Sequence, residues 1–224
     1  MPAPYPNTTS QETAPQKPHP TLTFMVSGPS GCGKSTLVAK MLELPHLMLS
    51  ISYTTRQPRA SESPGKWYNF ITEEEFEGMV GRGEFLEHAR VFSRHWYGTP
   101  RKWLEESRAK GQDLVLEIDV QGAQQIRRSL PDTISIFILP PSRQALGERL
   151  RARGQDTAEE IERRLAQAQQ EIFEHFRSYD YIVVNDDLEH AGRRVQSIVR
   201  AARSRNKTAL DSQAVQDALR SFGG

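Results

Sequence analysis

The chain has a single cysteine, no long apolar run and almost no net charge, and each scarcity narrows what it can be. One cysteine in 224 residues, Cys32, permits no intrachain disulfide and no multi-cysteine metal site. No apolar stretch approaches the roughly 20 residues that span a bilayer. The N-terminus also lacks the apolar centre of a signal peptide, so a soluble, cytoplasmic chain with no membrane partner is expected. A formal charge of +1 gives no bulk attraction to nucleic acid, which points to a small, local partner instead. The length suits one substantial core, or one core with a small inserted lobe.

What the chain does have is the run Gly28-Pro29-Ser30-Gly31-Cys32-Gly33-Lys34-Ser35-Thr36, with the full spacing of a phosphate-binding P-loop. Glycines let successive N–H groups turn inward around a polyphosphate. Lys34 can then reach the β and γ oxygens, and the Ser35 hydroxyl can ligate Mg²⁺. The flanks agree: Leu22 to Val26 reads as a buried strand and Thr36 to Leu42 as a helix, whose N-terminus would face the phosphates. Cys32 reads as a small loop residue; a reactive role would need a thiol pKa lowered by the loop amides and Lys34.

Residues 1–20 are rich in proline and polar residues and predict a disordered tail. Beyond them, short apolar runs at Leu47 to Tyr53, Leu114 to Ile118, Ile134 to Leu139 and Tyr181 to Val184 read as buried strands. Helical patterns separate them at Gly98 to Lys110, Gln121 to Ser129, Ser142 to Arg151 and Thr157 to Phe176, the last opening on a capping box. This alternation predicts an α/β fold with a mainly parallel sheet and a ligand at the carboxyl ends of its strands. Residues 66–97 break the alternation with short, aromatic, half-polar runs around a brief helix at Glu73 to Val80, which predicts an inserted lobe. From Glu189 to about Asn206 one helical face is apolar and the other rich in arginine, read as a solvated basic face. A C-terminal tail or helix completes the chain over 208–224.

A P-loop names a nucleotide and leaves the acceptor open. Arg56 and Arg59, near Thr54, Thr55 and Tyr68, offer two guanidinium forks and hydroxyl donors suited to a second phosphate, or else they are solvated loop arginines. At this point the sequence resembles the guanylate kinase family, from Leu22 to about Asn206. The segments Ser52 to Arg59, Gly65 to Phe70, Tyr97-Gly98-Thr99, Glu117 to Gly122, Arg149 to Gly154 and Val184 to Asp187 carry the resemblance. It implies a P-loop nucleotide-binding core over residues 21–207, an acceptor lobe over 53–97 and a helical lid over 149–168.

The resemblance further implies that Arg56, Arg59, Tyr68 and Tyr97 hold the GMP phosphate, and that Ser52, Glu87, Thr99 and Asp119 read guanine. Guanine's N1–H and N2–H₂ donors suit a carboxylate such as Glu87, and a buried carboxylate left unpaired would penalise AMP. Read without the family, Glu87 could be a surface charge, and Asp119 a cap or a water-mediated Mg²⁺ ligand. Arg149, Arg153 and Arg164 match the positions that lower charge onto the transferring phosphoryl. Arg149 also matches an arginine stacked on adenine, and Asn185 a nucleotide contact. Arg151 and Arg163 read as exposed helix positions, and the six histidines, His88 and His95 among them, as surface or hinge residues. Two departures from the family pattern are Glu117, where many relatives carry Asp, and Ser93-Arg94-His95-Trp96 in place of a shorter turn.

The activity so implied is ATP-dependent phosphorylation of GMP, and of dGMP with it, using Mg²⁺, by a monomer or homodimer. The rival is a catalytically silent relative that binds a phosphorylated peptide. Such modules lack an intact cradle, whereas Gly28, Gly33, Lys34 and Ser35 are all present here. A kinase of another phosphorylated small molecule is the second rival, and Glu87 with Ser52 argues against it.

Overall fold

The computed structural model describes residues 21–58, 65, 68–91, 95–154, 156–210 and 213–221; the tail at 1–20, Arg59 and the residues at 66–67, 92–94 and 155 lie outside these. The chain runs β1 (Thr23–Ser27), α1 (Lys34–Met41), β2 (Leu47–Leu49), β3 (Tyr53–Thr54), β4 (Asn69–Phe70), α2 (Glu73–Gly81), β5 (Phe85–Val91), β6 (His95–Pro100) and α3 (Lys102–Lys110). It continues through β7 (Asp113–Glu117), α4 (Val120–Ser129), β8 (Ile134–Leu139), α5 (Arg143–Ala152), α6 (Ala158–His175), β9 (Tyr181–Val184), α7 (Leu188–Arg203), α8 (Asn206–Ala209) and α9 (Gln213–Ser221).

The main sheet has the order β2-β7-β1-β8-β9 with every pairing parallel. Its strands are apolar on both faces, as a sheet covered on both sides requires. Along β1, Phe24 and Val26 face α1 and α7, while Met25 faces α4. Ile134, Ile136 and Ile138 of β8 join the first face and Phe137 the second. Helix α7 buries its expected stripe, Ala191, Val195, Ile198, Val199 and Ala202. The P-loop follows the central strand β1, where connections leave the sheet to both sides, the usual ligand position in such folds.

Two expectations need correction. Leu47 to Tyr53 is divided: β2 ends at Leu49 in the main sheet, and the chain re-forms as β3 in a second sheet of order β4-β3-β6-β5. One apolar run serves two layers, because Ser50 to Ser52 carries the chain across. Helix α3 begins at Lys102 rather than near Gly98, because Gly98, Thr99 and Pro100 are taken as partners by β5.

The second sheet and α2 form a lobe with an aromatic core of its own. Phe76 is fully buried, stacked on Phe85 at 4.6 Å and on Trp96 at 5.7 Å between ring centroids. The His88 ring joins that cluster, so His88 is a packing residue and not the surface or hinge residue expected. A register shift between Phe85 and Glu87 inserts a bulge into β5. Bulges re-aim side chains: Phe85 enters the lobe core, and Leu86 packs with Met25 and Ile118 against the main sheet.

Helices α5 and α6 form a hairpin with a third small core of Leu146, Leu150, Ile161, Leu165 and Ala168. The expected capping box at its second helix is present, Thr157 and Glu160 each bonding the other's backbone N–H.

Phe76→Ala should cost about 3 kcal/mol or more by leaving a cavity in a small core. Amide hydrogen exchange reads its location: β5 and β6 should exchange faster while β1, β7 and β8 keep their protection. Equal loosening of both sheets would show that lobe and sandwich share one cooperative core.

Candidate functional site

The loop between β1 and α1 is held on three sides. A Cβ at Gly28, whose φ is 143°, would collide with the Ile138 carbonyl oxygen of β8, and one at Gly33, with φ 97°, would collide with the Asn185 amide. Only glycine meets both demands. The Cys32 carbonyl accepts from Asn185 Nδ2 at 2.8 Å and from Arg149 Nη1 at 3.2 Å, and Arg149 Nη2 donates to the Asn185 carbonyl at 2.7 Å. Gly33 starts α1 with no side-chain cap and no acid in the first turn. The first N–H groups of a helix have no partner within it, which makes this end of α1 a place suited to an anion. Lys34 Nζ donates to the loop carbonyls of Gly28 at 2.7 Å and Pro29 at 3.1 Å.

Ser35 Oγ donates to Glu117 Oε1 at 2.6 Å, the carboxylate standing at the end of β7. Paired hard oxygens suit a hard divalent cation. Among the described residues no group of three or more His, Cys, Asp or Glu could hold a metal alone, so such a cation would take its remaining ligands from the bound phosphates and water. Thr36 is exposed, and Ser30 Oγ accepts from Arg164 Nη1 at 3.3 Å. Cys32 is fully buried, and burial pushes its thiol up despite the nearby Lys34, which corrects the lowered value that reactivity would need.

A second polar cluster is buried in the lobe. Glu87 is 5% exposed, and its Oε1 accepts from Thr99 Oγ1 at 2.7 Å; Thr99 in turn lies 3.3 Å from Ser52 Oγ. No cation lies within ion-pair reach of Glu87 among the described residues. Burial, reinforced by the negative Asp119, pushes its carboxyl up to about 8. The surface-charge reading of Glu87 is thereby excluded. Asp119 takes the capping role that was its alternative: one oxygen accepts from Gly122 N at 2.7 Å and starts α4.

Beside this cluster Arg56 Nε donates to Tyr97 Oη at 3.2 Å, while its guanidinium lies 5.6 Å from the ring centres of Tyr68 and Phe70. Tyr68 and Tyr97 meet edge to face at 5.6 Å. Arg56, Tyr68 and Tyr97 are therefore brought together as the sequence suggests, and Arg59 lies outside the described residues. Of the hairpin arginines, Arg149 and Arg164 reach the loop, Arg164 also pairing with Asp156 at 3.1 Å. Arg153, at the C-cap of α5, is exposed. Both nitrogens of Arg149 that the loop engages are spent on backbone carbonyls, so it acts as a strut behind the loop.

One residue escaped the sequence reading altogether. Glu171 of α6 is raised by burial, an effect that its bond from Gln167 at 2.7 Å and the charge of Lys34 partly offset. In sequence it resembles any exposed i, i+4 pair. Glu117 was noticed only as a departure from pattern, because nothing in its spacing shows that Ser35 lies beside it.

The chain matches the family model described as guanylate kinase over residues 21–202. It is 51% identical over 183 residues to a guanylate kinase of Hahella chejuensis, covering 81% of this chain and 87% of that one. For guanylate kinases of Nitrosomonas europaea and Escherichia coli K12 the identities are 54% over 181 residues and 49% over 185, covering 80% and 81% of this chain and 89% and 88% of theirs. A crystal structure of guanylate kinase from Anaplasma phagocytophilum superposes with a TM-score of 0.70 at 34% identity, over 89% of this chain and 97% of that one. A match this long, over a fold in which the phosphate loop and the buried carboxylate cluster are both in place, makes the chain a member of the guanylate kinase family.

Proposed function

We propose that the chain transfers the γ-phosphoryl group of ATP to the phosphate of GMP, the donor seated on the P-loop and the acceptor in the lobe. The observation that carries the acceptor's identity is the buried carboxyl of Glu87, with no cation in ion-pair reach among the described residues and with Thr99 and Ser52 around it. A buried carboxyl can ionise only when partners meet the charge, and guanine offers two adjacent N–H donors where adenine lacks them. Hydroxyls can serve O6 or N7. dGMP, which carries the same base and phosphate, is held by the same groups.

Residues 28–36 wrap the donor phosphates with backbone N–H groups and Lys34, and Asn185 keeps the loop's shape. Ser35, with Glu117 beside it, would hold Mg²⁺, which would neutralise charge on the donor phosphates. Arg56, Tyr68 and Tyr97, with Arg59, hold the acceptor phosphate, and Asp119 sets the α4 end of the base pocket. One oxygen of that phosphate attacks the γ-phosphorus in line; the bond from γ-phosphorus to the bridging oxygen breaks, and ADP leaves with the electron pair. No general base is required, because a phosphate monoester with a second pKa near 6 is already mostly dianionic at pH 7. Alignment and charge are the protein's task. The lobe over 53–97 and the hairpin over 149–168 enclose the transfer and exclude water. Arg153 and Arg164 bring charge over the transferring group, while Arg149 fixes the loop.

Lys34→Ala should abolish transfer while GMP still binds with near-normal affinity by calorimetry. A parallel loss of GMP affinity in a folded variant would overturn the division into two phosphate sites.

GMP affinity should depend on pH through Glu87. Its carboxyl sits at about 8 in the free protein against an ordinary 4.5, so near pH 7 a proton must leave before the carboxylate can accept from guanine. Affinity should therefore rise by up to about tenfold per pH unit towards 8 and then level off. The same group makes the free protein lose stability as pH rises from 4.5 to 8, because the folded state holds the proton more tightly. Glu87→Gln should flatten the binding profile and erode the preference for GMP over AMP by about 2 to 4 kcal/mol. Calorimetry between pH 6.5 and 8.5 measures both, and an unchanged slope and preference in the variant would remove Glu87 from the base site.

A further inference from the structure

The strand that carries Glu87 lies at the edge of its sheet, paired among the described residues with β6 alone. In an antiparallel pair alternate residues turn their N–H and C=O away from the partner strand. On β5 one such residue is His88, the neighbour of Glu87, and both of its outward groups are met by a single side chain. Gln125 Oε1 accepts from His88 N at 3.2 Å, and Gln125 Nε2 donates to the His88 carbonyl at 2.6 Å. The amide thus stands where a further strand would stand, although it belongs to α4 of the main sandwich. Three residues earlier on the same helix, Gly122 faces the Glu87 carboxylate so closely that a Cβ there would collide with Oε2. One face of α4 therefore touches consecutive residues of β5, one by contact and one by a two-point hydrogen-bonded clasp. The His88 ring reaches the other way, into the lobe core of Phe76, Phe85 and Trp96.

We infer that Gln125 is a positioning residue for guanine selection: its two hydrogen bonds to the His88 backbone fix the height of β5 against α4, and so the place of the Glu87 carboxylate. This rests on the reading that Glu87 receives guanine. The bulge before Glu87 interrupts the pairing with β6 at that point, and the clasp adds hydrogen bonds on the opposite edge of the strand. A shift of about 1 Å is enough to separate a carboxylate from two N–H donors, since hydrogen bonds lose most of their strength beyond about 3.5 Å. The clasp also joins the lobe to the sandwich at the base pocket, so that the acceptor phosphate clamp moves about a fixed base.

Gln125→Leu keeps the side chain's size and removes both hydrogen bonds. In steady-state assays of the full chain, KM for GMP should rise at least tenfold and the ratio of kcat/KM for GMP over AMP should fall by a similar factor. KM for ATP should stay within about twofold. The pH midpoint of GMP binding should also move downward, because a β5 freed from α4 lets water reach Glu87. A role confined to stability would lower Tm and leave both the nucleotide ratio and the midpoint in place, and that result overturns the inference. Should Gln125→Leu fail to fold, Gln125→Glu keeps the acceptor for His88 N–H and sets a second acceptor against the His88 carbonyl, with the same expected outcomes. Glu87→Gln, assayed in parallel, separates the two readings. If it loses GMP preference while the Gln125 variants keep theirs, the clasp inference fails alone; if it keeps GMP preference, the guanine reading fails and the inference falls with it.

Discussion

The structure depends on how closely the phosphate loop is packed by its neighbours. Gly28 abuts the backbone of β8, Gly33 abuts Asn185 at the end of β9, and the Cys32 carbonyl takes hydrogen bonds from Asn185 and Arg149. A loop whose amides are to point inward at an anion must be supported from outside, because a peptide's N–H and C=O point in opposite directions. The inward N–H groups need outward carbonyls, and the Cys32 carbonyl is one such group, satisfied by side chains from two other segments. The parallel order of β1, β8 and β9 brings those segments to the loop.

The lobe follows a different rule. A small lobe cannot bury a carboxylate by bulk alone, so Glu87 is enclosed between Thr99 on the neighbouring strand and the N-terminal turn of α4, with Gly122 making room. Burial raises its carboxyl, and the hydrogen bond from Thr99 offsets that in part. Nearby, the Arg56 guanidinium lies over the rings of Tyr68 and Phe70 and donates to Tyr97, so aromatic neighbours orient its charge.

Much of this was legible in the sequence because the relevant signals are local. The loop motif, the apolar strands, the capping box at Thr157 and the amphipathic stripe of α7 each lie within a few residues and obey a fixed period. Two boundaries were misread for one shared reason. Leu47 to Tyr53 and Gly98 to Pro100 have compositions compatible with more than one element, and pairing partners distant in the chain decided between them. His88 was misread likewise, since nothing beside it in sequence announces the rings of Phe76 and Trp96.

Sequence alone therefore determined the donor chemistry, the α/β class and the family resemblance, since spacing along one stretch of backbone suffices for a phosphate loop and for strand and helix periods. Only the tertiary structure decided which charges are buried and which side chains support others. It made Glu87 a buried, elevated carboxyl, Arg149 a strut, Asp119 a helix cap and Ser35 a partner of Glu117. Burial and hydrogen-bond partnership depend on distances between residues far apart in the chain, and no local pattern carries those distances.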